Sequence, residues 1–211
     1  MTSGQAKAWQ RSWSRLGREL GELPPGPLDT DALFGRSAPV VLEIGSGMGE
    51  TTARLAAAAP GVNYLAVEVY QPGLAQLMMR AEEAGLANLR LVRGDAVVLL
   101  SEHVAAGSLA EVRIFFPDPW PKAKHHKRRL VQAPFVALVA DRLAPGGILR
   151  LATDWEHYAE QMLAVCSAEP RLHNPHDGWA PRPEWRSTTK FEHRGEHAGR
   201  TIRDLLFERI G

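Results

Sequence analysis

From residue 39 onward, apolar runs of strand length alternate with segments of helical length, and few architectures accommodate that order. Val40-Val41-Leu42-Glu43-Ile44 is a short, largely β-branched run that stops at glycines, so a buried strand is expected over 40–44. Helix-forming residues follow over 51–59 and end at Pro60-Gly61. The pattern then repeats as a strand over 63–69 and a helix over 72–84, with Pro72 suited to the first helical turn. A strand over 89–92, a helix over 96–105 and a strand over 111–116 come next. Beyond a proline-rich segment, residues 130–143 repeat apolar side chains at helical spacing. Pro145-Gly146-Gly147 turns the chain into a strand over 148–152, and a helix over 155–167 follows. Strands joined through helices imply right-handed crossovers and a mostly parallel, doubly wound α/β sheet. Residues 171–186, rich in Pro, His and Trp, read as loop. Segments 189–193 and 202–209 are expected to pair as a C-terminal antiparallel hairpin, which brings the sheet to seven strands.

Ahead of this pattern, residues 1–37 carry Trp9, Arg11, Trp13, Arg15 and Arg18, then Pro24, Pro25, Gly26 and Pro27. A helix and linker extension is expected there, before a single domain over 38–211. A chain of 211 residues, 45% apolar, suffices for one full-sized core. Its formal net charge is +1, so attraction to a polyanion must come from local clustering. Cys166 is the only cysteine, which leaves no disulfide framework and no thiolate-rich metal site. The first residues hold no apolar stretch as long as a signal peptide or a membrane span, so a soluble, cytoplasmic protein is expected.

Glu43-Ile44-Gly45-Ser46-Gly47-Met48-Gly49 ends the first regular strand and opens a helix. Glycines there let a ligand approach the backbone at the carboxyl ends of the strands, where doubly wound sheets bind cofactors. A glycine-rich loop alone is also compatible with a mere tight turn. A dinucleotide fingerprint would place its third glycine at position 50, which is Glu50, and a carboxylate there would repel a pyrophosphate. No Lys-Ser or Lys-Thr follows, so a P-loop is excluded. What remains is a nucleoside cofactor without phosphates. Glu68 ends the second strand, where a carboxylate can accept both ribose hydroxyls, and Asp95 ends the third, within reach of an adenine amino group. Either acid could instead cap the helix behind it; acids after three successive strands favour the pocket. Together these residues resemble the pattern of class I, Rossmann-like methyltransferases, which implies S-adenosylmethionine.

After the fourth strand stands Pro117-Asp118-Pro119-Trp120-Pro121-Lys122, in which three prolines in five residues stiffen the chain. Stiffness suits a site whose task is alignment. Trp120 taken alone would read as a packed loop aromatic. Lys122-Ala123-Lys124-His125-His126-Lys127-Arg128-Arg129 follows, with five fixed positive charges and no acid. So dense a cluster reads as a contact with a phosphate backbone; a merely solvated helix start would set cations against the helix dipole. His125 and His126 lack further ligands nearby and are poor metal candidates.

Phe115-Phe116-Pro117-Asp118-Pro119-Trp120-Pro121-Lys122, then His125-His126-Lys127-Arg128-Arg129, closely resembles the bacterial tRNA (guanine-N7-)-methyltransferases. Thr189-Lys190-Phe191-Glu192-x-Arg194-Gly195 and Asp204-Leu205-x-Phe207-Glu208-Arg209 are similar to that family's ending, so the resemblance spans residues 39–209. It implies that Glu43, Gly45, Gly47, Gly49, Glu68, Asp95 and Asp118 line the cofactor pocket, with Asp118 also catalytic. It implies substrate contacts from Lys122, Asp154, Thr189, Lys190, Phe191 and Glu192. The charge clustering itself leads us to expect tRNA-backbone contacts from Lys124, Lys127, Arg128, Arg129 and, on the tail, Arg194. Arg186 and Arg200 are expected to join them, although any single tail arginine could be ordinary surface charge. The implied target is guanine 46 in the tRNA variable loop; no metal and no membrane are implied, and monomer and homodimer both remain open. A small-molecule methyltransferase would want an apolar lid where this chain carries a basic run. An RNA-binding module with a dead cofactor fold would show damage in the glycine loop or at Glu68 and Asp95, which are intact.

Overall fold

In the computed structural model, which describes residues 1–186 and 199–211, the alternation becomes parallel strands with helices between them. The chain divides into two compact units, Met1–Leu109 and Ala110–Gly211.

The first unit holds β1 (Gly17–Glu19), β2 (Val40–Ile44), β3 (Asn63–Glu68) and β4 (Leu89–Arg93), hydrogen-bonded in the order β1-β4-β3-β2 and all parallel. Every residue of β2 is buried, as expected of a parallel strand covered on both faces. Its register sets Glu43 opposite Ala66 and Ile44 opposite Val67, so the ends of β2 and β3 lie side by side. Four helices surround these strands: α1 (Ser3–Leu16), α2 (Thr30–Phe34), α3 (Glu50–Ala58) and α4 (Gln71–Glu83). The short α5 (Ala96–Val98) runs into a π-helical turn at Leu99–His103, in place of the longer regular helix expected there.

The N-terminal residues are built into this unit. Thr2 starts α1 with a reciprocal cap: its hydroxyl accepts from the Gln5 amide and the Gln5 side chain accepts from the Thr2 amide. Gln5, Ala8, Ser12 and Leu16 recur at helical spacing on the buried face, and the Gln5 side-chain Nε2 donates to Gln76 Oε1 of α4. The chain then leaves α1 directly into β1.

The second unit holds β5 (Leu109–Phe115, all but its first residue), α6 (Ala133–Arg142), β6 (Leu143–Thr153), α7 (Glu156–Ser167), β7 (Leu172–His173) and β8 (Arg203–Arg209). Strand order is β5-β6-β8-β7, and β8 runs antiparallel to both neighbours, with Leu149 opposite Phe207 and Leu172 opposite Arg209. The mixed α/β class, the mostly parallel pairing and the antiparallel C-terminal end agree with the sequence. The strand count does not. Eight strands are present among the described residues rather than seven. The additional β1 and β7 have three and two residues, too short to display the alternation by which a strand is recognised. The hairpin segment 189–193 lies outside the described residues.

Candidate active site

In the first unit, β2, β3 and β4 all end at the same edge, and each is followed by an acid or glycines. Gly45, Gly47 and Gly49 adopt φ of 76°, 54° and 69°, the left-handed conformation that favours glycine. The loop is held from two sides. Gly45 donates to Val67 O at 2.9 Å, and the Glu68 carboxylate accepts from Gly47 N at 3.0 Å through Oε2. Oε1 of Glu68 accepts from Val69 N and Tyr70 N at 2.8 and 2.9 Å. A carboxylate bonded to a loop amide occupies what a phosphate would need, which supports the exclusion of pyrophosphate ligands. The capping account fits Asp95, whose Oδ1 accepts from Val97 N and Val98 N, but not Glu68, since the N-cap residue of α4 is Tyr70 and makes no side-chain cap. Glu43 is buried beneath the loop.

One side chain matters here by its absence. A Cβ on Gly73 would stand 2.3 Å from Gly47 O, so glycine at the start of α4 lets the helix seat against the loop. Arg80, farther along α4, donates to Met48 O. In the sequence, the only signal for Gly73 is a glycine in a helical segment, where propensity disfavours it.

Around this edge the surface is apolar. Among the described residues seven large apolar side chains are exposed, and five of them follow β2, β3 and β4: Met48, Val69, Tyr70, Val97 and Val98. The other two, Met1 and Ile210, are at the chain ends. Exposed apolar side chains gathered at one edge are a common feature of ligand-binding surfaces.

In the second unit, the proline-bracketed loop leaves β5 under strain. Phe116 and Trp120 have φ of 52° and 43°, a region that bulky residues rarely adopt, at a cost on the order of 1–3 kcal/mol each. Surrounding groups hold them there. Phe116 N donates to Ala152 O at 2.7 Å, joining the loop root to β6. The Arg186 guanidinium lies against the Phe115 and Phe116 rings and donates to Asp204 of β8 at 2.8 Å. Trp185 stands beside it, covered by Arg113 and Arg150, both of which pair with Glu111. Arg186 is only 1% exposed, so the expectation of a surface cation gripping RNA at this position is corrected.

Asp118 is exposed at the crest of the loop. The basic run folds as a 3-10 helix, Ala123–Arg128, that leaves Lys122, Lys124, Lys127 and Arg128 exposed. Trp120 stacks between Arg128, 4.9 Å from its ring centre, and the edge of His125. Arg129 departs from its neighbours. It is 1% exposed, and its Nε donates to Pro119 O at 2.8 Å. Its Nη1 donates to Gln161 Oε1 at 2.5 Å, with His157 Nδ1 at 3.2 Å, and its plane covers the Tyr158 ring. The expectation of a tRNA-backbone contact from Arg129 is corrected: a guanidinium enclosed this way presents nothing to a phosphate. Burial lowers its pKa from the ordinary arginine value, and burial pushes the Tyr158 phenol up to about 12.

Asp154 follows β6 as expected, and its carboxylate accepts from Arg200 Nε at 2.9 Å, while Arg200 also lies over Trp155. The two line a cavity of about 430 Å³ with Glu156, His157 and Arg203. Arg200 is thus engaged within its own unit. Thr189, Lys190, Phe191, Glu192 and Arg194 lie outside the described residues. Cys166 is buried and its thiol is pushed up to about 12, so it is a packing group. Among the described residues there is no cluster of three or more metal-ligating side chains and no helix long and apolar enough to cross a membrane.

Residues 37–205 match a family model described as "Putative methyltransferase". The chain is 58% identical over 185 residues to the tRNA (guanine-N(7)-)-methyltransferase of Bordetella parapertussis, covering 88% of this chain and 73% of that one. It is 52% identical to the protein of the same name from Streptomyces coelicolor, covering 100% of this chain and 78% of that one. The corresponding protein from Paracidovorax citrulli is also 52% identical, over 99% and 83% of the two chains. Among solved structures, the 16S rRNA methyltransferase KamB superposes with a TM-score of 0.62 at 17% identity, over 92% of this chain and 99% of that one. A 16S rRNA (adenine(1408)-N(1))-methyltransferase from Catenulisporales acidiphilia, solved with SAM, gives 0.57 at 17% identity, over 87% and 92%. At such identities the structural likeness speaks for the fold alone.

Proposed function

Because the chain belongs to the tRNA (guanine-N7)-methyltransferase family, we propose that it transfers a methyl group from S-adenosylmethionine to N7 of the variable-loop guanine, position 46, of tRNA. The observation that carries the cofactor half of this reading is the apolar rim around an acid-lined glycine loop whose Gly47 amide is already bonded to Glu68. That surface fits a nucleoside without phosphates better than a phosphate-bearing ligand. We assign Glu68 and Asp95 to accept from ribose and adenine donors, and Glu43 to the same cofactor pocket. When bound, S-adenosylmethionine supplies an electrophilic methyl group.

The acceptor half needs no base. Guanine N7 offers an in-plane lone pair and carries no proton at neutral pH, so the rate must come from alignment and electrostatics. Methylation leaves a positive charge on the guanine ring. Asp118, exposed on a loop whose course is held by prolines and buried arginines, is the carboxylate we assign to stabilise that charge and hold the base edge. Asp154 is assigned to substrate contact together with the 189–192 segment, which requires its bond to Arg200 to be exchanged or shared. Lys122, Lys124, Lys127 and Arg128 are assigned to phosphates, with Arg194 added from outside the described residues. The cytoplasm, where tRNA is abundant, is the proposed location.

Methylation of a tRNA transcript in vitro, with the product mapped by mass spectrometry, tests this reading. The expected result is one methyl group at N7 of guanine 46, lost when that base is changed to adenine. Methylation of another base would overturn the substrate assignment, and no calorimetric binding of S-adenosylmethionine would overturn the cofactor assignment. Asp118→Asn should lower the rate at saturation by about tenfold or more, with cofactor affinity kept. Full activity in that variant would remove Asp118 from the chemistry.

A further inference from the structure

We infer that Arg129 is a positioning residue for the reaction: a buried clamp that ties the Pro119 carbonyl to α7 and thereby sets Asp118 and Trp120. The inference rests on the proposed methyl transfer. It departs from the reading of the basic run as one uniform phosphate-binding stretch.

The loop from Phe116 to Pro121 has two non-glycine residues at positive φ and three prolines that cannot donate hydrogen bonds. It cannot hold its course through a ladder of its own amides, so external groups must do so. At its root stand Ala152 O and Arg186. Past Asp118, Arg129 ties the loop down, its Nε donating to Pro119 O at 2.8 Å. Pro119 is the neighbour of both Asp118 and Trp120, so movement of this carbonyl moves both residues.

The other end of the clamp is fixed as well. Nη1 of Arg129 donates to Gln161 Oε1, and Gln161 Nε2 in turn donates to Val131 O at 3.1 Å. Tyr158 lies under the guanidinium plane and accepts from Val131 N at 3.0 Å. One turn and a half of α7 therefore holds the cation through a planar fork. Lysine, a point charge on a flexible stem, reproduces that fork only in part. Arg128, adjacent in sequence, faces solvent and stacks on Trp120. Two neighbouring arginines thus divide the work: Arg128 meets the RNA, and Arg129 holds the loop.

The experiment compares Arg129→Lys, Gln161→Leu and Arg128→Ala with the unchanged chain, each checked for folding by circular dichroism. Three quantities are read: the single-turnover methylation rate at saturating tRNA and cofactor, the salt slope of tRNA affinity, and hydrogen exchange at the Asp118 and Trp120 amides. Arg129→Lys should lose about tenfold in rate, a 1.4 kcal/mol effect, and Gln161→Leu about threefold. Both should exchange faster at Asp118 and Trp120, with tRNA affinity within about twofold and its salt slope unchanged. Arg128→Ala should instead weaken tRNA binding and make the slope shallower by about one. Arg129→Met, which has no donor, should fall below Arg129→Lys in rate. If Arg129→Lys instead behaves like Arg128→Ala, Arg129 is a phosphate contact and the inference is wrong. Should Arg129→Lys not fold, Gln161→Leu decides, since an unchanged rate and unchanged exchange there sink the clamp. Exchange is read without turnover. Absence of methylation by the unchanged chain would count against the proposed function, while slow, unaltered exchange in the variants would count against the clamp.

Discussion

Replacing Gly73 by alanine tests whether close seating of α4 against the glycine loop shapes the cofactor site. The added Cβ would lie 2.3 Å from Gly47 O, 3.0 Å from Gly47 C and 3.3 Å from Tyr70 Cδ1. Ordinary carbon–oxygen contact lies about 1 Å farther out, so either α4 or the loop must shift by about that much. The loop is the softer partner, but Gly47 N is bonded to Glu68 at 3.0 Å, and a displacement of this size breaks that bond. Overpacking of this kind costs about 1–3 kcal/mol, and alanine in a helix returns at most about 1 kcal/mol. The net loss of about 0–3 kcal/mol lowers the melting temperature by no more than about ten degrees in a chain of this size. Cofactor affinity should suffer more than stability, because the shift falls on the atoms that form the pocket. A tenfold or larger rise in the dissociation constant for S-adenosylmethionine is expected by calorimetry. Gly21→Ala, where a Cβ meets nothing within 4 Å, serves as the control and should leave binding unchanged. Binding within twofold of the unchanged chain in Gly73→Ala, with a normal melt, would refute the reasoning.

Simultaneous replacement of Lys124, Lys127 and Arg128 by alanine should flatten the dependence of tRNA affinity on salt by two to three phosphate equivalents, on the order of 0.7–0.9 per contact. An unchanged slope in filter binding would remove the run from the interface. Arg186→Met deletes a fully buried cation bonded to Asp204 and seated against Phe115 and Phe116. Urea unfolding should show a loss of about 3–5 kcal/mol, as for other broken buried pairs, and a loss below 1 kcal/mol would show that the pair is not structural. Glu169 is held below the usual glutamate range by its hydrogen bond with Arg171, against the opposing effect of burial. Its contribution is present above the unfolded-state value of about 4 and fades as pH drops through the lowered folded-state value. Glu169→Gln should therefore lose stability at pH 7 and show a smaller further loss between about pH 5 and 2; a melting profile parallel to that of the unchanged chain would contradict this.

How much could be read in advance depended on the distance over which each feature is determined. The strands over 40–44, 63–69 and 89–92, the helices behind them, the glycine loop and the acids at the strand ends follow from local patterns: apolar runs, turn residues and positions relative to both. They were legible because burial on both faces of a parallel strand leaves few other sequences able to form it. β1 and β7 escaped because two or three residues carry no period, and their pairing partners, Leu91–Arg93 and Glu208–Arg209, supply the reason for their extended course. Gly73 read as a weak helix residue until a carbonyl from another loop stood 2.3 Å from where its Cβ would be.

The basic run shows the division most sharply. Composition and clustering were enough to mark Lys122 to Arg129 as a dense positive stretch beside an exposed acid. Nothing along the chain separates Arg128 from Arg129, two identical side chains in adjacent positions. Only the tertiary structure does so, by bringing Gln161 and Tyr158 from α7 to one of them and leaving the other in solvent. The physical reason is general: charge is a property of the residue, but its exposure is a property of what lies 30 residues away.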